Sequence, residues 1–201
     1  MNFESLFISE DKPYKGKSKR DKFLSRVFGI FNEEIIRIWC NNEKSPFIDL
    51  GRPTIYDNDG RHYTLDFLLE DEKGRKFITE MKCEIEYQKY KFLTLYDRDQ
   101  LKHHQNKRAF QLLLEVAQEP EGYEVSCNKE AVQIAGSSLV WGRTTLQGVR
   151  DVKDAFQLSH VLSTESVVAD LVKWGDQNYL ELIGRYESWS SSLFRGLTRK
   201  G

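Results

Sequence analysis

The sequence predicts an α/β domain with a central mixed sheet flanked by helices, and three observations carry that reading. Residues 19–40, KRDKFLSRVFGIFNEEIIRIWC, space Leu24, Val27, Phe28, Phe31, Ile35, Ile38 and Trp39 three and four apart, as one apolar helical stripe. Residues 63–69 and 76–83 are apolar-rich runs flanking Asp71-Glu72-Lys73-Gly74, the pattern of a β-hairpin. A long helix from about Asp99 to Gln118, ended near Pro120 and Gly122, leads to an apolar strand around 132–141 that Gly142 closes.

The remaining elements fall between and after these. A strand near 47–56 ends at the turn signal Asp57-Asn58-Asp59-Gly60 and joins the hairpin in a three-stranded antiparallel unit. The long helix then crosses over to the 132–141 strand. Its first turns, DQLKHHQNK, carry almost no core material and read as a helix end that overhangs the sheet edge and faces a ligand. A short helix is expected over 145–156 and a short strand over 157–162. Ser163 or Thr164 caps a helix through Val167, Val168, Leu171 and Val172. Gly175 breaks it, and Asp176 caps a last helix carrying Tyr179, Leu180, Leu182, Ile183 and Tyr186.

Composition bounds the function without choosing it. The chain has 201 residues, 39% hydrophobic and 12% aromatic, enough for a real core and against disorder. A formal net charge of −1 lacks the basic excess usual in nucleic-acid binders. The basic residues are unevenly placed, however. Lys12, Lys15, Lys17, Lys19, Arg20, Lys22 and Arg26 form one run, and Lys102, Lys107 and Arg108 another. Such runs track a phosphate backbone or form solvated surface. Cys40, Cys83 and Cys127 make no C-x-x-C pair and read as reduced packing thiols in a cytoplasmic protein. MNFESLFISEDK lacks the pattern of a secretory leader, and no apolar run is long enough for a membrane span.

The hairpin carries the chemistry. Glu80 and Lys82 are two apart on a strand and leave it on one face. Pairing Leu69 with Phe77 sets Asp66 opposite Glu80, so two carboxylates and an ammonium converge. Two oxygen ligands suit a hard divalent cation such as Mg²⁺ or Mn²⁺, and the lysine can hold a phosphate or steady developing charge. Metal-assisted phosphodiester hydrolysis uses such a set. In the preceding helix, the stripe puts Glu34 on its core-facing edge and turns Glu33 away. Glu34 is therefore the carboxylate of the two that needs a partner or a metal to meet it.

Asp66 followed by Glu80-Met81-Lys82 resembles the PD-(D/E)XK phosphodiesterase superfamily, the restriction-endonuclease-like fold, with Leu65 standing where proline is frequent. The resemblance covers roughly residues 19–160 of a single domain spanning 1–201, and leaves the C-terminal helical segment, 163–201, unassigned. Gln100 matches the glutamine of the Gln-x-x-x-Tyr motif in the RecB-like branch, although His104 replaces the tyrosine. The resemblance implies a Mg²⁺-dependent nuclease with Asp66, Glu80 and Glu34 as metal ligands, Lys82 and Gln100 completing the catalytic set, and DNA before RNA as substrate. A homodimer stays open and no membrane partner is expected. Two alternatives remain: a catalytically inactive relative acting in nucleic-acid binding or protein assembly, and an unrelated interaction protein whose hairpin mimics the motif. In the tail, Trp174, Tyr179, Tyr186, Trp189 and Phe194, interleaved with Arg185, Arg195, Arg199 and Lys200, either cover the sheet or form an aromatic-basic surface.

Overall fold

The apolar runs on either side of the Asp71–Gly74 turn pair in the expected register. In the computed structural model, which describes residues 23–83 and 92–198, strands β4 (Phe67–Asp71) and β5 (Lys76–Lys82) run antiparallel with Leu69 opposite Phe77. Of residues 23–28, 194, 196 and 198 only the backbone is described. The side chains of the Lys12–Arg26 basic run, residues 19–22, the side chains of Leu24, Val27, Phe28 and Phe194, residues 84–91, and Arg199 and Lys200 therefore lie outside the described part of the structure.

A five-stranded sheet forms the centre, in the order β1 (Phe47–Asp49), β4, β5, β9 (Gly136–Trp141) and β11 (His160–Ser163). The first three strands are antiparallel neighbours, and β9 and β11 run parallel to β5. The sheet is thus mixed. Strand β9 is buried along its whole length, as expected for a strand covered on both faces.

Helices cover both faces. On one, α2 (Arg108–Gln118) packs Phe110, Leu113 and Leu114 with Ile78, Leu139 and Trp141. On the other, α1 (Phe23–Asn41), α4 (Thr164–Trp174) and α5 (Gln177–Thr198) meet Phe67, Phe77, Met81 and Val140 through Ile35, Val168 and Leu182. Alternation along β5 sends Ile78 to the first core and Phe77 and Met81 to the second. Between β9 and β11 lies α3 (Leu146–Phe156).

The local stop signals act as the sequence implies. Thr145 accepts the Gly148 N–H at the start of α3, and Ser163 rather than Thr164 caps α4. Gly175 ends α4 at φ 65°, where a glycine avoids the left-handed penalty. Asp176 Oδ1 then accepts from Tyr179 N–H at 2.9 Å to open α5.

Three expectations are corrected. The 47–56 strand is two strands, β1 and β2 (Thr54–Tyr56), because Gly51 turns the chain at φ 116°. The 63–69 run is likewise divided, into β3 (His62–Thr64) and β4. Leu65 N–H bonds Pro53 O at 3.0 Å while Leu68 N–H bonds Gly51 O at 2.7 Å, so the chain passes from one sheet to another. Strands β2 and β3 join β7 (Val125–Cys127) and β8 (Glu130–Ala131) in a second sheet of order β3-β2-β7-β8. Finally, the expected 99–118 helix is a 3-10 helix, Arg98–His103, followed by a turn and then α2. Its opening turns are not an overhang: Leu101 and His104 are 0% and 1% exposed. A two-stranded parallel pair of β6 (Thr94–Leu95) and β10 (Arg143–Thr144) flanks this segment.

Among the described residues no helix is long and apolar enough to cross a membrane. Cys40 and Cys127 are buried, and burial, with Asp49 adding, pushes the Cys40 thiol up to about 12, as for an inert packing residue.

Candidate active site

Strand β5 lies between β4 and β9, so its interior is mostly apolar and its charges stand at its two ends, Lys76 at the start, paired with Glu70, and Glu80 and Lys82 at the C-terminal end. Because β4 is antiparallel to β5, Asp66, one residue ahead of β4, stands at that same end. Glu80 and Lys82 leave β5 on the Ile78 side, toward α2, with Lys82 Nζ 5.9 Å from the centroid of the Phe110 ring.

The three side chains are electrostatically joined. Lys82 Nζ donates to Glu80 Oε1 and to the Met81 carbonyl, the latter at 3.2 Å. Met81 N–H donates to Asp66 Oδ2 at 2.8 Å, which ties the first acid to the strand bearing the other two groups. Arg52 Nη2 lies 3.4 Å from Asp66 Oδ1. The Lys82 and Glu80 side chains are only 14% and 13% exposed. Burial pushes the Glu80 carboxyl above its usual range, Lys82 opposes that, and the negative charge of Asp66 raises it again. A desolvated acid beside another carboxylate is costly to fold around, and such groups cluster at functional sites.

Beside this set opens a cleft of about 190 Å³, lined among others by Asn32, Glu33, Asp66, Lys82, Cys83 and Lys107. It is Glu33, not Glu34, that reaches it. Glu34 faces α5, where its Oε2 accepts from Tyr186 Oη at 3.1 Å, in a groove it shares with Arg185 and Trp189. The cause is the phase of α1. Apolar residues alone centre its stripe near Phe31, Ile35 and Ile38, but Phe31 and Ile38 are only partly buried, and Phe31 packs edge-on to Tyr186. The covered arc is Asn32, Ile35, Ile36, Trp39 and Cys40, rotated by roughly 100° at 100° per residue. That rotation brings Glu33 to the arc's edge and moves Glu34 away. Helix α1 has three neighbours, the sheet, α4 and α5, and the sequence stripe sums them.

Gln100 is committed elsewhere. It is 7% exposed, its Oε1 accepts from Tyr96 N–H at 2.6 Å and Asp97 N–H at 3.2 Å, and its Nε2 donates to Thr94 O at 2.8 Å. With Asp97 it forms a capping box on the 3-10 helix. This side chain shapes the loop beside the site. His104 lies nearer the chemistry, packed against Phe110 and Trp141, and burial, then Lys82, His103 and Lys107, hold its pKa down to about 3. Periodicity passed over Asn32 and turned Glu33 away from the core, and Lys107 entered only as part of a basic run. Asn32 had a legible signal, a polar side chain one turn before Ile36 inside an otherwise apolar arc.

Among the described residues no three His, Cys, Asp or Glu side chains gather as a metal cluster. The carboxylates at this end are Asp66, engaged by the Met81 N–H and Arg52, and Glu80, paired with Lys82. Mg²⁺ keeps several waters and takes only one or two protein carboxylates. No protein-family model, curated protein or solved structure matches the chain.

Proposed function

We propose that this protein is a metal-dependent phosphodiesterase acting on nucleic acid, DNA before RNA, built on a restriction-endonuclease-like core. The meeting of Asp66, Glu80 and Lys82 at one end of the central sheet carries this reading: two carboxylates and an ammonium, mostly withdrawn from water, beside an open cleft. The mixed sheet with helices on both faces supports it, since ligands of open α/β sheets bind at the carboxyl ends of the parallel strands.

In this reading Asp66 and Glu80 would hold Mg²⁺ or Mn²⁺. A divalent ion there supplies acidification of a water and neutralisation of phosphate charge. Lys82, fixed by Glu80 and the Met81 carbonyl, donates to a non-bridging phosphate oxygen and stabilises charge that develops as the P–O bond breaks. The Met81 amide holds Asp66 in one orientation. Glu33, at the cleft wall beside Asp66, is the additional acid.

The test is incubation with single- and double-stranded DNA and RNA in Mg²⁺ or Mn²⁺. Cleavage is expected, and both Lys82→Ala and Glu80→Ala abolish it. A clean preparation inactive on all four substrates in both metals refutes the reading. Calorimetry with Mn²⁺ then separates an inactive metal-binding relative from a hairpin that only mimics the motif.

A further inference from the structure

Asn32 is a buried amide with nothing to bond. It is 0% exposed, and neither Nδ2 nor Oδ1 has a hydrogen-bond partner. An unmet buried amide costs about 1–3 kcal/mol, and α1 places this one inside the covered arc, where leucine would fit at no such cost. Asn32 is also one of the residues that line the cleft holding Asp66 and Lys82. Lys107, the N-cap of α2, lines the same cleft, and the first turn of that helix receives no side-chain cap.

The charges around the cleft are mostly matched. Glu33 pairs with Arg37 at 3.4 Å, Asp66 with Arg52 at 3.4 Å, and Glu80 with Lys82. Among the described residues Lys107 makes no close ion pair, although its charge also acts on Glu80 and His104. An ammonium with no close ion-pair partner among the described residues, at a helix start with no side-chain cap, and a residue with an unmet amide thus line one space of about 190 Å³. An anion with several acceptor oxygens meets both needs.

We infer that Asn32 and Lys107 form a phosphate subsite that seats a backbone phosphodiester of the nucleic-acid strand next to the Asp66–Glu80–Lys82 set. The subsite rests on the phosphodiesterase reading for its substrate class. Asn32 Nδ2 donates to a non-bridging oxygen, and Lys107 supplies the opposing charge.

The test uses the full chain, a fluorescent oligonucleotide, and anisotropy titrations in EDTA across a salt series, alongside cleavage kinetics in Mg²⁺. Lys107→Ala is expected to weaken binding about tenfold and to reduce the slope of log K against log salt by about one, whereas Lys107→Arg retains both. Asn32→Leu is expected to raise the melting temperature while raising KM about tenfold, and Asn32→Asp weakens binding further by repulsion. A structural asparagine predicts the opposite for Asn32→Leu, a lower melting temperature with KM unchanged. Cleavage that persists with unaltered binding, salt slope and KM in these variants overturns the subsite and leaves the phosphodiesterase standing. Lys107- and Asn32-dependent binding without cleavage by the wild type does the reverse. A wild-type chain that binds no oligonucleotide overturns the subsite as well.

Discussion

Removing the Lys82 ammonium isolates a buried carboxylate, and the consequence for stability can be worked from the geometry. Lys82 and Glu80 are 14% and 13% exposed, so their attraction is little screened. Removing one partner of a buried pair costs about 3–5 kcal/mol, less whatever protonation of the survivor recovers. Lys82→Met keeps an unbranched side chain of similar length but deletes the charge that lies over the Phe110 ring and holds the Glu80 pKa down. With residual solvent access and partial protonation, a loss of about 2–3 kcal/mol near pH 7 is expected. For a chain of this size that is roughly 5–10 °C in Tm. The loss has a pH signature. The folded pKa of Glu80 lies above its unfolded value of 4.5, so the native state holds a proton that the unfolded chain has released. Stability from this group is therefore greatest below 4.5 and falls as pH rises through the folded pKa, a window the variant extends upward. The deficit against wild type should shrink at pH 5 and grow by pH 8. Lys82→Met/Glu80→Gln, which leaves no isolated charge, should recover most of it. Thermal melts of the three proteins from pH 5 to pH 8 measure this. Equal stability of Lys82→Met and wild type across that range, or a double variant no better than the single one, would refute the buried-pair reasoning.

Two further outcomes are expected. Glu33→Gln should reduce both cleavage and the Mg²⁺-induced rise in Tm. Glu34→Gln should leave both unchanged and cost at most about 1 kcal/mol, because its amide oxygen still accepts from Tyr186; the reverse pattern would return Glu34 to the site. His104, neutral in the fold with its pKa at about 3 against 6.5 unfolded, contributes stability that is present above 6.5 and lost as pH falls toward 3. His104→Phe should abolish that acid loss, worth about 2 kcal/mol at pH 5 at 1.36 kcal/mol per pKa unit, and melts in which both proteins lose stability alike would count against it.

Local rules were enough for the elements whose partners are near in sequence. A four-residue turn fixed the pairing of Leu69 with Phe77, and with it the approach of Asp66 to the Glu80 strand. Ser163, Gly175 and Asp176 bound their helices through contacts a few residues away. Elements that depend on distant partners were not legible. Nothing near Leu65 announces the change of sheet, because Pro53 and Gly51 supply the carbonyls that impose it. Strands β7 and β8 are three and two residues long, too short to show a period. Gln100 sits beside the site in sequence yet spends its amide on the backbone of its own loop, a choice set by the 3-10 turn. The side of α1 that meets the sheet was decided with α4, which takes the Trp39 N–H at Asp170, and α5, which lies about 150 residues on and claims Phe31 and Glu34. Hydrophobic periodicity gives the sum of a helix's buried faces, whereas a catalytic acid depends on which neighbour each face meets. Only the tertiary packing divides them, and it gives Glu33 and Asn32 to the cleft.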